Sequence, residues 1–310
     1  MKMDMTLQQM MFRCRDFTLD FSQRPHIMSV LNLTPDSFSD GGKFYRNERI
    51  DFDAVCEVAL QMERDGADIL DIGGESTRPG AVPVSADEEK RRILPAIERI
   101  SKKVRIPISV DTTKASVAEA ALRAGASIVN DISGFRFDKD MPSVCARFGA
   151  AAIVMHLPQR PEHLQWSYHD QTRYTHLVEE VRAALSESVR LGEQAGISSI
   201  AIDVGFGFGK SVQGNFELLG RLAEFRSLGR PILVGLSRKS FIGKVVSKTA
   251  DAVPPSERLF GTIAANTIAL MNGANILRVH DTKAAFDAVQ IFLATQRAVS
   301  LTESTSYVSN

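Results

Sequence analysis

The chain has 310 residues, of which 44% are hydrophobic and 24% charged, and its 37 lysines and arginines balance 37 aspartates and glutamates. This composition excludes an intrinsically disordered chain, and the net charge of zero disfavours a nucleic-acid partner. The three cysteines, Cys14, Cys56 and Cys145, are far apart, which argues against a disulfide framework or a zinc cluster. The N-terminus lacks a signal-peptide core, and no segment approaches the about 20 apolar residues of a membrane span, so we expect a cytoplasmic protein without a membrane partner.

The first predicted element is a short β-hairpin, because apolar and polar residues alternate from Phe12 to Phe21. After it, short β-branched runs alternate with longer helical patterns. The eight runs are residues 27–33, 68–72, 106–110, 127–130, 151–155, 199–204, 232–235 and 275–279. Such apolar runs predict parallel strands that are buried on both faces.

Five glycines lie just after a helical pattern and just before the next strand. At this position a left-handed helix C-cap requires a residue without Cβ. These glycines are Gly66, Gly125, Gly149, Gly196 and Gly273. Eight strand–helix units fit either a closed (β/α)8 barrel or an open doubly wound sheet. The count of eight and the lack of a dinucleotide fingerprint favour the barrel. We expect one domain over residues 1–310, with the barrel at about 25–300 and the hairpin, at 10–22, over its bottom.

Polar residues lie at the same end of nearly every predicted strand. They are Asn32, Asp71, Asp111, Asn130 with Asp131, His156, Asp203, Ser237 with Lys239, and Arg278 with His280. A helix N-cap explains some of them, for instance Asp131. Because barrel enzymes carry their active sites at the C-terminal ends of the strands, the set as a whole predicts an active site there.

Two chemical types recur at this rim. Carboxylates and an amide can recognise the donors and acceptors of a polar heterocycle, and cations suit phosphate groups. The first set is Asp111, Asn130 and Asp203, and the second is Lys239, Arg278 and His280. The amide oxygen of Asn32 can ligate a hard cation such as Mg²⁺.

Two loops that follow strands are rich in glycine and proline, at residues 34–42 and 73–83. They are either mobile lids over the site or ordinary surface turns, and Arg78 within the second loop favours lids. The stretch GFGFGKS at 205–211 resembles a phosphate-binding loop, but its spacing matches neither the dinucleotide fingerprint nor the Walker A motif.

The ordered motifs of this chain resemble those of the dihydropteroate synthases, the folate-pathway enzymes that sulfonamides inhibit. The resemblance runs from about residue 12 to about residue 292. It is carried by LNLTPDSFSDGG at 31–42, DIGGESTRPGA at 71–81, SVDTTKASVAEAALRAGASIVNDI at 109–132, DVGFGFGKS at 203–211, VGLSRKSFIG at 234–243 and ILRVHD at 276–281. It implies a TIM barrel that joins p-aminobenzoate to (7,8-dihydropterin-6-yl)methyl diphosphate by an SN1-like substitution, with Mg²⁺ as cofactor, in a homodimer formed through residues 256–271 and 283–299.

The resemblance also implies roles for individual residues. The catalytic residues would be Asp111, Asp203 and Lys239. The pterin would be bound by these three with Asn130, Ile132, Met155 and Gly235. The diphosphate would be bound by Asn32, Thr77, Arg278 and His280, with Asn32 also on the metal. The p-aminobenzoate would be bound by Phe38, Arg78, Pro79, Phe208 and Ser237.

The sequence departs from the family pattern at Val204, where the family usually has proline, and in MHLPQRP at 155–161. Two alternatives remain at this point. Methyltransferases that carry a methyl group from methyltetrahydrofolate to a corrinoid protein share the barrel and the pterin handling, but they lack the SRKS and GGESTRPG motifs. A paralogue that only binds pterin is disfavoured by the intact Lys239, Arg278 and His280.

Overall fold

Eight parallel strands close into a barrel in the computed structural model, which describes residues 11–34, 45–46, 49–167, 174–249 and 251–306. The barrel strands are β3 (His26–Asn32), β6 (Ile69–Gly73), β7 (Ile108–Asp111), β8 (Ile128–Asp131), β9 (Ala151–Met155), β10 (Ile200–Asp203), β11 (Ile232–Val234) and β12 (Ile276–Val279). Each pairs with its neighbour in chain order, and β12 pairs with β3 to close the barrel. The predicted barrel and its eight strands are confirmed.

The helices lie between the strands. They are α1 (Phe52–Arg64), α2 (Ala86–Ile100), α3 (Ala115–Ala124), α4 (Met141–Arg147), α5 (Leu177–Gln194), α6 (Val212–Gly220), α7 (Ser240–Val246), α8 (Leu259–Met271) and α9 (Thr282–Ser306). Short 3-10 turns occupy Pro161–His163, Leu222–Leu228 and Pro255–Glu257. A small antiparallel pair, β4 (Tyr45–Arg46) with β5 (Arg49–Ile50), precedes α1. In the described part of the chain, no helix is both long and apolar enough to cross a membrane.

The predicted strand boundaries differ from the structure by at most two residues. The largest difference is at the third strand, which begins at Ile108 rather than Ile106 because Pro107 has no N–H to donate to the sheet. All five glycines predicted to end helices have positive φ, between 62° and 121°. Gly66 also has a packing role, since a Cβ there would lie 2.3 Å from the Phe286 ring.

The predicted N-terminal hairpin is confirmed as β1 (Met11–Cys14) paired antiparallel with β2 (Phe17–Asp20). Its apolar side chains join those that point into the bottom of the barrel and form one buried cluster with them. The cluster contains Phe12, Cys14, Phe21, Met28, Ile69, Ile128, Ala151, Ile153, Ala201, Leu233 and Ile276. The hairpin therefore closes the bottom of the barrel, so the interior opens only toward the C-terminal ends of the strands.

The next layer of inward-pointing side chains is partly polar. Side chains two residues apart on a strand point to the same face, so each residue two positions beyond the apolar cluster also points into the barrel. These residues are Val30, Asp71, Asn130, Met155, Asp203, Gly235 and Arg278. On four of the strands the inward-pointing residue therefore changes from apolar to polar, which places charged groups above the hydrophobic cluster.

Candidate active site

A buried ion-pair network crosses the barrel at this layer. Arg278 donates from Nε to Asp71 Oδ2 and from a terminal nitrogen to Asp111 Oδ2, both at 2.6 Å. Asn130 donates its side-chain N–H to the same Asp71 oxygen at 3.1 Å. Side chains from β6, β7, β8 and β12 thus meet although they are distant in sequence, as the strand-end pattern predicted.

Asp203 closes the polar layer from β10. One of its carboxylate oxygens accepts a hydrogen bond from the Gly205 N–H at 2.8 Å, and the other oxygen, Oδ2, lies near Gly235. Burial raises the pKa of Asp203. Burial also raises the pKa of Asp111 to about 7, although Arg278 acts in the opposite direction. Burial therefore destabilises the negative charge of both carboxylates, and nearby positive groups partly offset this effect.

The loop after β10 is organised by a lysine that the sequence reading passed over. Lys210 is fully buried, and its ammonium group donates to the carbonyls of Gly205 at 2.8 Å and Phe208 at 3.0 Å. These contacts fold the GFGFGKS stretch back on itself. The Phe208 ring consequently lies against Lys239, whose ammonium group is 4.0 Å from the ring centre.

Lys239 is positioned by an unusual backbone conformation at the preceding residue. Arg238 has φ of +56°, a left-handed conformation that is uncommon outside glycine. Its N–H donates to the Thr262 hydroxyl at 2.9 Å, its carbonyl accepts from Arg258 at 2.9 Å, and its guanidinium binds both oxygens of Asp281. Burial, with a further contribution from Arg278, lowers the pKa of Lys239 to about 8.

His280 and Ser237 contact each other. The Ser237 hydroxyl accepts the His280 backbone N–H at 3.2 Å and lies 3.0 Å from His280 Nδ1. Burial, followed by the charges of Arg278 and Arg238, lowers the pKa of His280 to about 3, so the ring is neutral near pH 7. The Ser237 hydroxyl thus links a residue predicted to contact the aminobenzoate with His280, which is predicted to contact the diphosphate.

A cavity of about 330 Å³ opens above this layer. Eleven of the predicted site residues line it, namely Asn32, Thr77, Arg78, Pro79, Asp111, Phe208, Gly235, Ser237, Lys239, Arg278 and His280. Asn130 and Asp203 belong to the polar layer described above. Phe38 lies outside the described residues, as does most of the first predicted lid. Of the second lid, Thr77, Arg78 and Pro79 face the cavity.

A small buried apolar cluster lies next to the cavity, which it reaches through Phe208. It contains Ile132, Met155, Leu157 and Leu164, with Phe137 and Phe208 packed against it. Ile132 and Met155 were the predicted ring contacts. The cavity lining also includes residues that the sequence reading did not name, among them Thr34, Trp166, Ser240 and Arg258. Of these, Ser240 could have been found from its place at the first position of a helix that follows a strand.

The fold and the site together define a barrel enzyme whose C-terminal rim combines an acidic, amide-bearing pocket for a heterocycle with cations for an anionic group. Comparison with known proteins narrows this class. The family model described as pterin binding enzyme matches residues 28–280. The dihydropteroate synthase of Bacillus subtilis is 42% identical over 278 residues, which cover 89% of this chain and 90% of that protein.

Solved structures that resemble this chain belong to the same family of enzymes. The dihydropteroate synthase of Yersinia pestis, in complex with a sulfonamide drug, superposes with a TM-score of 0.84 at 38% identity and covers 93% of this chain and 100% of its own. That of Xanthomonas albilineans, with 4-aminobenzoic acid, gives 0.81 at 39% identity and covers 93% and 98%. The chain belongs to the dihydropteroate synthases, which are transferases within the pterin-binding enzyme family.

Proposed function

We propose that this dihydropteroate synthase joins the amine of 4-aminobenzoate to the methylene carbon of (7,8-dihydropterin-6-yl)methyl diphosphate in folate biosynthesis. The carbon–oxygen bond breaks, diphosphate leaves with the electron pair, a carbon–nitrogen bond forms, and the amine loses one proton. The main support for this proposal is the polar layer of Asp71, Asp111, Asn130, Asp203 and Arg278, together with Lys239 and His280, which line the cavity beside Asp111 and Arg278. Carboxylates next to cations suit a substrate whose two ends carry opposite charge as the bond breaks.

The carboxylates are proposed to bind the pterin and to stabilise the cation that develops on its methylene group. Asp111 and Asp203 are buried, and the raised pKa of each shows that a positive neighbour would be favoured. Asn130 and Lys239 would bind the polar edge of the ring while Ile132 and Met155 contact its face. Gly235 leaves the ring space near Asp203, because a Cβ there would lie 4.0 Å from Asp203 Oδ2.

The leaving diphosphate is proposed to lie against Asn32, Thr77, Arg278 and His280. All four line the same cavity, and Arg278 brings a positive charge while the neutral His280 ring offers a hydrogen-bond donor. Because 4-aminobenzoate is a weak nucleophile, departure of the diphosphate before attack is the more reasonable order. The aminobenzoate is proposed to bind between Arg78, Pro79 and Phe208, close to Ser237, with Phe38 from the undescribed part of the first loop.

The surroundings of Asn32 fit a magnesium ion that is bound mainly through the substrate. A Cβ at Gly73 would lie 3.5 Å from Asn32 Oδ1 and 3.9 Å from Asp111 Oδ2, so the glycine leaves the space between these oxygens open. Among the described residues, no three histidine, cysteine or acidic side chains come together as a metal site. Mg²⁺ usually keeps most of its ligands as water and phosphate oxygens, and when bound it neutralises diphosphate charge.

We also propose that the protein forms a homodimer, is cytoplasmic and consists of a single domain. Large apolar side chains are exposed on α8 and α9, notably Phe260 at 84% and Ile291 at 68%, which supports a homodimer through these helices. Three free and buried cysteines support a reducing, cytoplasmic location. The shared core of hairpin and barrel supports a single domain over residues 1–310.

A condensation assay tests the proposed function. Purified protein is incubated with the pterin diphosphate, 4-aminobenzoate and Mg²⁺, and the products are identified by mass spectrometry. We expect dihydropteroate and diphosphate in equal amounts, and loss of both when either substrate is omitted or excess chelator is added. Binding of the pterin without product would indicate the binding-only paralogue, and full activity in chelator would exclude the metal.

A further inference from the structure

The carboxylate of Asp71 holds two neighbouring residues of the site at once. One of its oxygens, Oδ2, accepts the Asn130 amide N–H at 3.1 Å and the Arg278 Nε–H at 2.6 Å. Asp71 is fully buried, and its other oxygen, Oδ1, is buried and has no hydrogen-bond partner among the described residues. A buried carboxylate oxygen without a donor is costly, which points to a role for Asp71 beyond packing.

Asp71 determines which way the Asn130 amide faces. An ionised carboxylate can only accept hydrogen bonds, so it must be met by the amide nitrogen of Asn130 and not by its oxygen. The amide oxygen is then directed away from Asp71 and is presented as an acceptor. A neutral amide in place of Asp71 could both donate and accept, and the orientation of Asn130 would no longer be specified.

Asp71 also limits the position of Arg278. The guanidinium is shared between Asp71 and Asp111, each at 2.6 Å, and both contacts lie in a buried site. Without the charge of Asp71, Arg278 would be attracted to Asp111 alone. It would then compete with any ligand for Asp111 and would lose the contact that anchors it beside the cavity.

We propose that Asp71 is a positioning residue that couples pterin recognition through Asn130 and Asp111 to diphosphate recognition through Arg278. The inference rests on the proposed function, because it assigns the two ligand ends to these neighbours. One carboxylate therefore orients the groups that meet both ends of the same substrate. Asp71 itself does not contact the substrate, since its side chain is completely covered.

The test uses Asp71→Asn, which keeps the shape and removes the charge, with Asp131→Asn as the matched control. Asp131 is also a fully buried aspartate at the end of a strand, but its oxygens accept the N–H groups of Ser133 and Phe135 and do not face the site. Binding of 6-hydroxymethylpterin, and separately of inorganic diphosphate with Mg²⁺, is measured by calorimetry on both variants and the wild type.

We expect Asp71→Asn to weaken both probes by about tenfold or more, as is typical for loss of a buried charged partner, and Asp131→Asn to change neither by more than about twofold. The KM for the pterin substrate should rise in Asp71→Asn more than kcat falls. Unchanged binding of both probes in a folded Asp71→Asn enzyme would overturn the inference. Failure of the wild type itself to bind either probe would count instead against the proposed function.

A second measurement remains informative if Asp71→Asn does not fold. Asn130→Ala, Arg278→Ala and the double variant are compared for 6-hydroxymethylpterin binding with Asp71 in place. If Asp71 couples the two residues, their effects should depart from additivity by about threefold or more. Effects that multiply independently would show that Asn130 and Arg278 act separately, and the coupling role would be rejected.

Discussion

Among single residues, Asp203 and Lys239 are those whose substitution should impair catalysis with the least effect on stability. Both side chains lie at the C-terminal end of the barrel, Asp203 buried and Lys239 half-buried, and desolvation destabilises the charged form of each. Asp203→Asn keeps an oxygen for the Gly205 N–H, and Lys239→Ala removes a half-buried charge. We expect kcat/KM to fall about a hundredfold or more in each while the melting temperature stays within a few degrees of wild type.

Circular dichroism melts and steady-state kinetics on the two variants check this expectation. The exposed pair Lys283 and Asp287 on α9 supplies a control, because Lys283→Ala removes a lysine far from the cavity lining. Near-normal turnover in Asp203→Asn or in Lys239→Ala would show that the residue does not have the proposed role.

The pH dependence of kcat/KM should report the charges of Asp111 and Lys239. Burial raises the pKa of Asp111 to about 7, so this carboxyl loses its negative charge as the pH falls through that value. Burial lowers the pKa of Lys239 to about 8, so the ammonium group loses its positive charge as the pH rises through that value. We therefore expect the plot of kcat/KM for the pterin substrate against pH to be a narrow bell-shaped curve, with its maximum between these two pKa values.

The variant Lys239→Arg tests whether Lys239 causes the fall of kcat/KM at high pH. In Lys239→Arg the side chain stays charged throughout, so whatever activity remains should no longer fall above the maximum. A profile that is flat in the wild type, or a basic limb that persists in Lys239→Arg, would mean that Lys239 does not control this titration.

At the scale of structural elements, the loop between β11 and α7 depends on Arg258 for its shape. Arg258 donates to the Arg238 carbonyl at 2.9 Å and to the Val253 carbonyl at 2.7 Å, and it passes so close to Gly243 that a Cβ there would lie 2.4 Å from its Nε. These contacts support the left-handed conformation at Arg238. We expect Arg258→Met to lower kcat/KM by about tenfold and to destabilise the fold by about 1–3 kcal/mol, since buried carbonyls lose their donor.

Urea denaturation and kinetics measure both effects. Arg99→Met is the matched control, because Arg99 pairs with Asp53 at the surface and such pairs contribute about 0–1 kcal/mol. If Arg258→Met behaves like Arg99→Met in both measurements, the loop does not need this support.

Some features of the fold and of the site can be predicted from the sequence, and others cannot. The barrel strands follow from the length of the apolar runs, and the five helix-ending glycines follow from the need for positive φ. Because both rules are local, both predictions could be made from the sequence, and both are confirmed. The rim residues could be named because strand ends share one edge. Their partners across the barrel could not be named, because the stagger of the strands decides that Arg278 meets Asp71 and Asp111. Lys210 was missed for a related reason, since its three acceptor carbonyls exist only once the loop has folded.

At the scale of the whole molecule, the exposed apolar residues of α8 and α9 predict a homodimer. Phe260 is 84% exposed, and Ile268, Met271 and Ile291 are exposed as well. Burial of these side chains against a second copy would remove apolar surface from water. We expect the wild type to be a dimer at micromolar concentration and Phe260→Asp to shift it toward the monomer.

Multi-angle light scattering gives the mass directly. Val82→Asp serves as the control, because Val82 is 83% exposed in the loop after β6, away from both helices. A monomer mass for the wild type, or a dimer that Phe260→Asp leaves intact, would contradict this arrangement.

In the proposed reaction, Asp111 and Asp203 stabilise a pterin-methylene cation as diphosphate leaves. The most direct measurement is the α-secondary deuterium isotope effect on kcat/KM, with the methylene group of the pterin diphosphate deuterated. A dissociative step flattens that carbon in the transition state, so we expect a clearly normal effect when the concentration of 4-aminobenzoate is well below saturation. An effect of unity or below in an enzyme limited by chemistry would mean that the amine attacks before diphosphate departs, and it would contradict the role assigned to Asp111 and Asp203.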